Sequence, residues 1–288
     1  MKFGVVGYGS IGQRHANNLR GLGHEVSKVY DPAVDRAVAF ERHVYESDVD
    51  AVIVATPSPY HEGPLRACIE RGKHVLIEKP ISTSVGMLPQ LLDEAAAKNL
   101  VVMTGNNLRF HPCVALAKQW LDVGQIGKPI WATFTCAQKN EKYRDSVVLN
   151  WGAHEVDLAI HFFGPVQKVL CASVAGETDG VDNVADFVLL HDSGVRSSFH
   201  LDYLTTVEIR ECWLAGEDHN IGIDFPTRRI SMGKHVQGMG GTYDDDYVDE
   251  MKAFIGRIEG RPVLGASGRD GLEALRVLVD VRKEAGVL

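Results

Sequence analysis

Gly7-Tyr8-Gly9-Ser10-Ile11-Gly12 sets three glycines in a G-x-G-x-x-G spacing, just after a short apolar run. That spacing suits a pyrophosphate. Gly7 permits a tight turn, Gly9 lets the backbone approach a phosphate, and Gly12 lets the next helix pack closely on the strand. The helix that opens there offers free N–H groups and a partial positive charge. Asp31 ends the second apolar run nineteen residues after Gly12. An acidic side chain at that interval binds the ribose hydroxyls of a dinucleotide. Its charge repels a 2′-phosphate, and the next residue is Pro32, not Arg or Lys. The pattern therefore predicts NAD rather than NADP. Taken alone, Asp31 would be a turn aspartate before proline.

Further candidates follow later strands. Thr56 and Pro57 sit at the end of the third apolar run, and His61 opens the helix after it. His61 either caps that helix, lies at the surface or touches cofactor. Glu78-Lys79-Pro80 closes the fourth run, where a lysine points toward the place of a nicotinamide ring; by itself it reads as a solvated lysine. Asn107 and Arg109 follow the fifth run and suit a hydroxyl, carboxylate or phosphate of substrate. Arg109 equally suits an interdomain salt bridge. His154, Asp157 and His161 fall at i, i+3 and i+7, on one helix face. No further ligand motif accompanies them, so no metal is expected. Asp157 instead orients His154 or binds a substrate hydroxyl. The acidic run Asp244–Asp246 reads as a solvated first helical turn, favoured by the helix dipole. Gly238–Gly241 reads as a mobile loop.

These residues need elements to position them. Val- and Ile-rich runs at 3–6, 26–30, 51–55, 74–77 and 101–104 alternate with helix-length segments at 11–22, 62–71 and 85–98. Alternation of that kind predicts a doubly wound parallel sheet with helices on both faces. Beyond about residue 125 the texture changes. Strands are predicted at 129–137, 167–175, 183–191, 195–203 and 207–215, in a mostly antiparallel sheet with one open face. Helices are predicted at 153–163, 243–258 and 269–284, the last packing back on the first domain. The chain thus divides into a dinucleotide-binding domain at 1–120 and a substrate-binding α/β domain at 121–288.

The 288 residues have ordinary globular composition and a net charge of −8, with no basic run. That argues against nucleic acid or an anionic membrane as partner. The five cysteines form no C-x-x-C pair and read as buried free thiols of a reducing, cytoplasmic setting. Neither a signal peptide nor a membrane span is legible.

Together, Gly7–Gly12, the Glu78-Lys79-Pro80 triplet, the Asn107–Pro112 segment and Trp151–Asp157 (Trp-Gly-Ala-His-Glu-Val-Asp) resemble the Gfo/Idh/MocA family of sugar and cyclitol oxidoreductases. The resemblance implies a Rossmann domain followed by an α/β domain whose open sheet forms a homodimer or homotetramer interface. It implies that Lys79 contacts the nicotinamide ribose and the reacting oxygen, and that His154 is the general base or acid. Asn150, Trp151 and Asp157 become candidates for substrate binding. Many members carry aspartate four residues before the histidine; Asn150 stands there in this chain and cannot take a proton. Two other readings stay open: a reductase of an imine, aldehyde or conjugated double bond, and a non-catalytic NAD-responsive regulator, which Asn150 alone favours.

Overall fold

The computed structural model describes residues 1–31, 41–139, 145–175 and 181–287. Pro32 lies outside them. The chain divides into two compact units, Met1–Phe110 with Tyr243–Leu272, and His111–Thr242 with Glu273–Leu288.

The first unit runs β1 (Lys2–Val6), α1 (Ser10–Gly21), β2 (Glu25–Tyr30), α2 (Glu41–Glu46), β3 (Ala51–Val54), α3 (Glu62–Glu70), β4 (His74–Glu78), α4 (Leu88–Ala97) and β5 (Val102–Gly105). β1 to β5 are mutually parallel, in the spatial order β5-β4-β3-β1-β2. Their near-continuous apolar runs are covered by helices, so Ala51 to Val54 are wholly buried. All five strands end at one sheet edge, and every first-unit candidate lies on or just beyond that edge.

The second unit holds α5 (Pro112–Asp122), β6 (Pro129–Ala137), α6 (Val147–Phe163), β7 (Val166–Ala175), β8 (Val184–His191), β9 (Arg196–Asp202), β10 (Ile209–Gly216), β11 (Asn220–Asp224), β12 (Arg229–Met232) and β13 (His235–Gly238). The eight strands form one sheet ordered β13-β12-β11-β10-β6-β9-β8-β7. Among the described residues of this sheet, only β6 and β9 pair in parallel. Phe134, Phe199 and Phe187 sit on three adjacent strands and stack at 5.0 and 4.5 Å. This ladder lies on the buried face, whose neighbouring strands contact α6.

Three closing elements, α7 (Tyr243–Ile258), β14 (Ala266–Ser267) and α8 (Gly268–Glu284), redraw the expected division. Residues 111–120 were expected in the first domain. They belong to the second unit, because α5 packs on β11 and β12. Conversely, α7 and β14 belong to the first. Met251 and Phe254, three apart on α7, are fully buried in the cluster that holds Phe3, Ile53 and Leu76. Burying a side chain of that size is worth roughly 1.5–3 kcal/mol. β14 adds an antiparallel edge to β5. The last helix, expected on the first domain, leaves it after Leu272 and continues in the second unit.

Four of the cysteines are buried, but Cys171, expected inside, is exposed on the edge strand β7. No helix among the described residues is long and apolar enough to cross a membrane.

Candidate active site

The glycine turn is fixed by close backbone approaches. Gly7 has φ +88° and its N–H donates to the Tyr30 carbonyl at 2.9 Å. A Cβ there would lie 2.4 Å from Ala55 backbone, and a Cβ on Gly12 would lie 1.9 Å from the Gly7 carbonyl oxygen. Both contacts exclude side chains, so β1, the β3 end and α1 can close on one another. Gly9 differs: a Cβ there would meet nothing within 4 Å. It caps α1 without a side-chain acceptor, and no acidic residue occupies the first turn. Open space before an uncapped helix start fits a pyrophosphate, with Tyr8, Ser10 and Ile11 supplying the turn around it.

Asp31 follows β2 and accepts the Tyr8 N–H at 2.6 Å. Its carboxylate therefore both shapes the turn and stands where ribose hydroxyls are expected. Thr56 and Pro57 follow β3 at the same edge. His61 occupies the N-cap position of α3 without a side-chain cap bond, and it is not at the surface: it is fully buried, with Nε2 2.7 Å from the Thr56 carbonyl and Nδ1 2.8 Å from the Pro80 carbonyl. Both ring nitrogens thus face backbone carbonyls, and the neutral ring donates its single N–H to one of the two. Burial pushes its pKa down, against the pull of the two carbonyls and the Glu78 charge.

Glu78 ends β4, and the Lys79–Pro80 bond that follows is cis. The Glu78 carboxylate accepts from His15 Nε2 at 2.7 Å and from the Lys79 N–H at 3.2 Å. Burial would raise its pKa, but the His15 bond and the charges of His15, Lys79 and His61 outweigh it and hold the group below its ordinary value. The strand thus ends on a half-buried carboxylate, followed by a half-exposed lysine.

Asn107 and Arg109 form a 3-10 turn after β5 and are buried. The Arg109 guanidinium stands 3.7 Å from Asp270, which also accepts from Ser267 N and Oγ at 2.7 and 2.6 Å. The salt bridge weighed for Arg109 therefore exists inside the first unit, with α8's first turn. Burial opposes ionisation of Asp270, yet Arg109, Ser267 and Arg257 keep its pKa low. The Asn107 amide nitrogen is buried without a hydrogen-bond partner, which leaves a donor for a ligand.

In the second unit α6 carries Asn150, Trp151, His154 and Asp157. It begins at Val147, six residues before the expected start, so Asn150 and Trp151 are helical. Ser146 caps it, accepting from Leu149 N at 3.3 Å and donating to Asp182 at 2.7 Å. Val147–Trp151 is apolar on nearly every side and lacks the stripe that marks a surface helix. Inside the unit, Gly152 lets Leu278 of α8 approach; a Cβ there would come within 2.8 Å of it. Asn150 Nδ2 donates to the Tyr203 hydroxyl at 2.8 Å, and Trp151 meets the Tyr203 ring edge-on at 4.5 Å. His154 is 8% exposed and Asp157 1%, whereas His161 lies half-exposed beside Phe162. The helix face read from spacing therefore does not act as one cluster. Among the described residues no group of three His, Cys, Asp or Glu is placed to hold a metal ion.

No role was assigned to His15 or Tyr203 from sequence. His15 had a signal: it falls in the buried stripe Gly12, His15, Ala16, Leu19 of α1, where a polar side chain needs a partner. Tyr203 had none, since its partner is set by tertiary packing.

Residues 1–106 match the model described as "Oxidoreductase family, NAD-binding Rossmann fold", and residues 114–221 match the "GFO/IDH/MocA C-terminal domain". Myo-inositol 2-dehydrogenase of Thermotoga maritima is 26% identical over 96% of this chain and 93% of its own. UDP-N-acetylglucosamine 3-dehydrogenase of Acidithiobacillus ferrooxidans is 26% identical over 98% and 97%. The solved scyllo-inositol dehydrogenase of Lactobacillus casei, with bound NAD(H) and scyllo-inositol, shares the fold: TM-score 0.84, 19% identity, 99% of this chain and 96% of that one.

Proposed function

The chain belongs to the Gfo/Idh/MocA oxidoreductases, a family with an NAD-binding Rossmann fold, and from that premise we propose that it interconverts a secondary alcohol and ketone of a cyclitol, sugar, amino-sugar or nucleotide-sugar. One observation carries the reading: Lys79 follows β4 at the sheet edge where the glycine turn and Asp31 follow β1 and β2. Relatives named for inositol and UDP-N-acetylglucosamine support the substrate class.

NAD, when bound, accepts or returns the hydride. Gly7–Gly12 and Asp31 hold the dinucleotide, the Asp31 charge favouring NAD over NADP. Thr56, Pro57, Glu78 and Pro80 frame the same edge. The Lys79 ammonium stabilises charge that develops on the reacting oxygen. His154 exchanges the hydroxyl proton, a task suited to an imidazole, which can both accept and donate a proton. Asp157 orients His154 or binds a substrate hydroxyl. Asn150, Trp151 and Asn107 bind substrate; Asn150 does so as an amide held by Tyr203, and Arg109 acts through its ion pair with Asp270.

The test is Lys79→Met, assayed on a panel of inositols and UDP-amino sugars. Turnover should fall by at least about a thousandfold, with NAD binding unchanged in calorimetry. Full activity in that variant removes the proposed mechanism, and turnover of carbonyl or imine substrates alone moves the enzyme to another reaction.

We also infer self-association through the second unit's sheet. Trp131 on β6 and Trp213 on β10 are 44% and 43% exposed, on neighbouring strands whose alternate residues are buried. Light scattering should give at least a dimer, and Trp213→Lys should shift it toward monomer.

A further inference from the structure

Each chain neighbour of Lys79 is gripped by a buried histidine from a distant segment. His15, on α1, bonds the Glu78 carboxylate at 2.7 Å; His61, before α3, bonds the Pro80 carbonyl at 2.8 Å. Both histidines are 0% exposed. We propose that His15 and His61 are positioning residues for Lys79, one acting through Glu78 and the other through Pro80. The proposal rests on the reading of Lys79 as the cation beside the reacting oxygen.

Three features distinguish these bonds from the ordinary satisfaction of core histidines. First, each histidine is tied to a ligand-facing segment. His15 lies three residues after Gly12, and the second nitrogen of His61 lies 2.7 Å from the Thr56 carbonyl oxygen. The two therefore link the β4 end to the glycine turn and to the β3 end. Second, the His15 bond is made to a charge. His15 Nδ1 is buried with no hydrogen-bond partner, so the bond of Nε2 to Glu78 is the one hydrogen bond its ring makes. A hydrogen bond to a desolvated carboxylate is stronger than a neutral one. Third, Gly105 on the next strand closes over the Glu78 carboxyl carbon, where a Cβ would stand 3.2 Å away. Glu78 thus has little room to move while His15 holds it.

The charged and titratable groups around Glu78 are His15 from α1, His61 before α3, Lys79 in its own strand end and Tyr247 from α7. Without the His15 donor, the half-buried carboxylate takes up a proton more readily. Glu78 then ceases to favour the ammonium form of Lys79.

The proposal can be read without substrate or cofactor. Lys79 is half-exposed, so its acetylation by acetic anhydride can be followed against pH, by mass spectrometry of its peptide in the intact protein. In His15→Leu the midpoint of that profile should fall by about one pH unit. Glu78→Gln should give the same shift with His15 left in place, and His15→Gln, which keeps an amide donor, should restore the original midpoint. In His61→Leu the limiting rate at high pH should rise about fivefold, as expected for loss of a buried hydrogen bond. Exposed lysines such as Lys252 serve as internal references. Unchanged midpoints in both His15→Leu and Glu78→Gln overturn the His15 arm, and an unchanged limiting rate in His61→Leu overturns the His61 arm. If His15→Leu fails to fold, Glu78→Gln decides alone. Retained turnover in Lys79→Met would instead refute the role of Lys79 while leaving these labelling results intact.

Discussion

Lys79 and His154 carry the two proposed chemical roles, and the fold holds them in opposite ways. Lys79 stands at a strand end, where side chains drawn from α1 and from the segment before α3 fix its neighbours. His154 stands mid-helix, and the backbone ladder of α6 fixes it. A residue of the first kind depends on a few polar bonds whose loss is local. A residue of the second kind depends on packing along a whole element, so its own side chain can be exchanged with little structural consequence. The largest expected effect tests this directly. His154→Gln should lower kcat by about 10²–10⁴, the usual worth of general acid–base help. Thermal stability should stay close to that of the parent chain, because α6 keeps its cap and its buried faces. A large drop in melting temperature together with lost activity would mean that His154 is a packing residue, and the contrast would fail.

The same contrast explains which features were legible in the sequence. The glycine turn was legible because its constraints are local: only glycine tolerates the approaches at Gly7 and Gly12. Residues fixed by backbone ladders were legible where periodicity was clear, as in α7, whose expected span 243–258 matches the observed one. The start of α6 was not, since a helix buried on all sides loses the 3.6-residue alternation; Ser146 at its head was the remaining clue. Strands β11, β12 and β13, of five, four and four residues, were too short to stand out from the turns between them. The unit to which α7 belongs was not legible either, since an apolar stripe says that a helix packs but not on what. Hardest of all were the partners of His61 and Asn150, which lie in carbonyl and hydroxyl groups brought near only by the fold.

Among the polar contacts of the second unit, one responds to pH. His111 is the N-cap of α5, its Nδ1 accepting from Cys113 N at 3.3 Å. Burial, with the nearby charges of Arg228 and Arg210, pushes its pKa down to about 4. The folded chain therefore keeps His111 neutral while the unfolded chain takes up a proton near pH 6.5. The resulting stability is complete above about pH 6.5 and is lost as pH falls toward 4, to a total of about 3 kcal/mol. His111→Asn retains a capping oxygen without the titration. In urea unfolding, the parent should lose stability relative to this variant between pH 7 and pH 4.5. Parallel losses in the two proteins would show that His111 is protonated in the folded state, and that the second unit's packing does not exclude the charge.

The smallest effect concerns the first unit's other held group. Asp31 joins an observed role to a proposed one: it accepts the Tyr8 N–H at 2.6 Å, and under the proposed function its negative charge disfavours a 2′-phosphate. Asp31→Ala removes both and should shift the NAD/NADP preference by about tenfold toward NADP, mostly through weaker NAD binding. Asp31→Asn separates them, because the amide oxygen can still accept from Tyr8 while the charge is gone. If specificity follows electrostatics, Asn and Ala should shift the preference alike, and Ala alone should weaken both dinucleotides. If specificity follows the shape of the turn, Asn should behave like the parent chain. In that case Asp31 would resemble His15 and His61, acting on its ligand through the backbone it holds, and the difference between the two units would reach from Lys79 to the cofactor site itself.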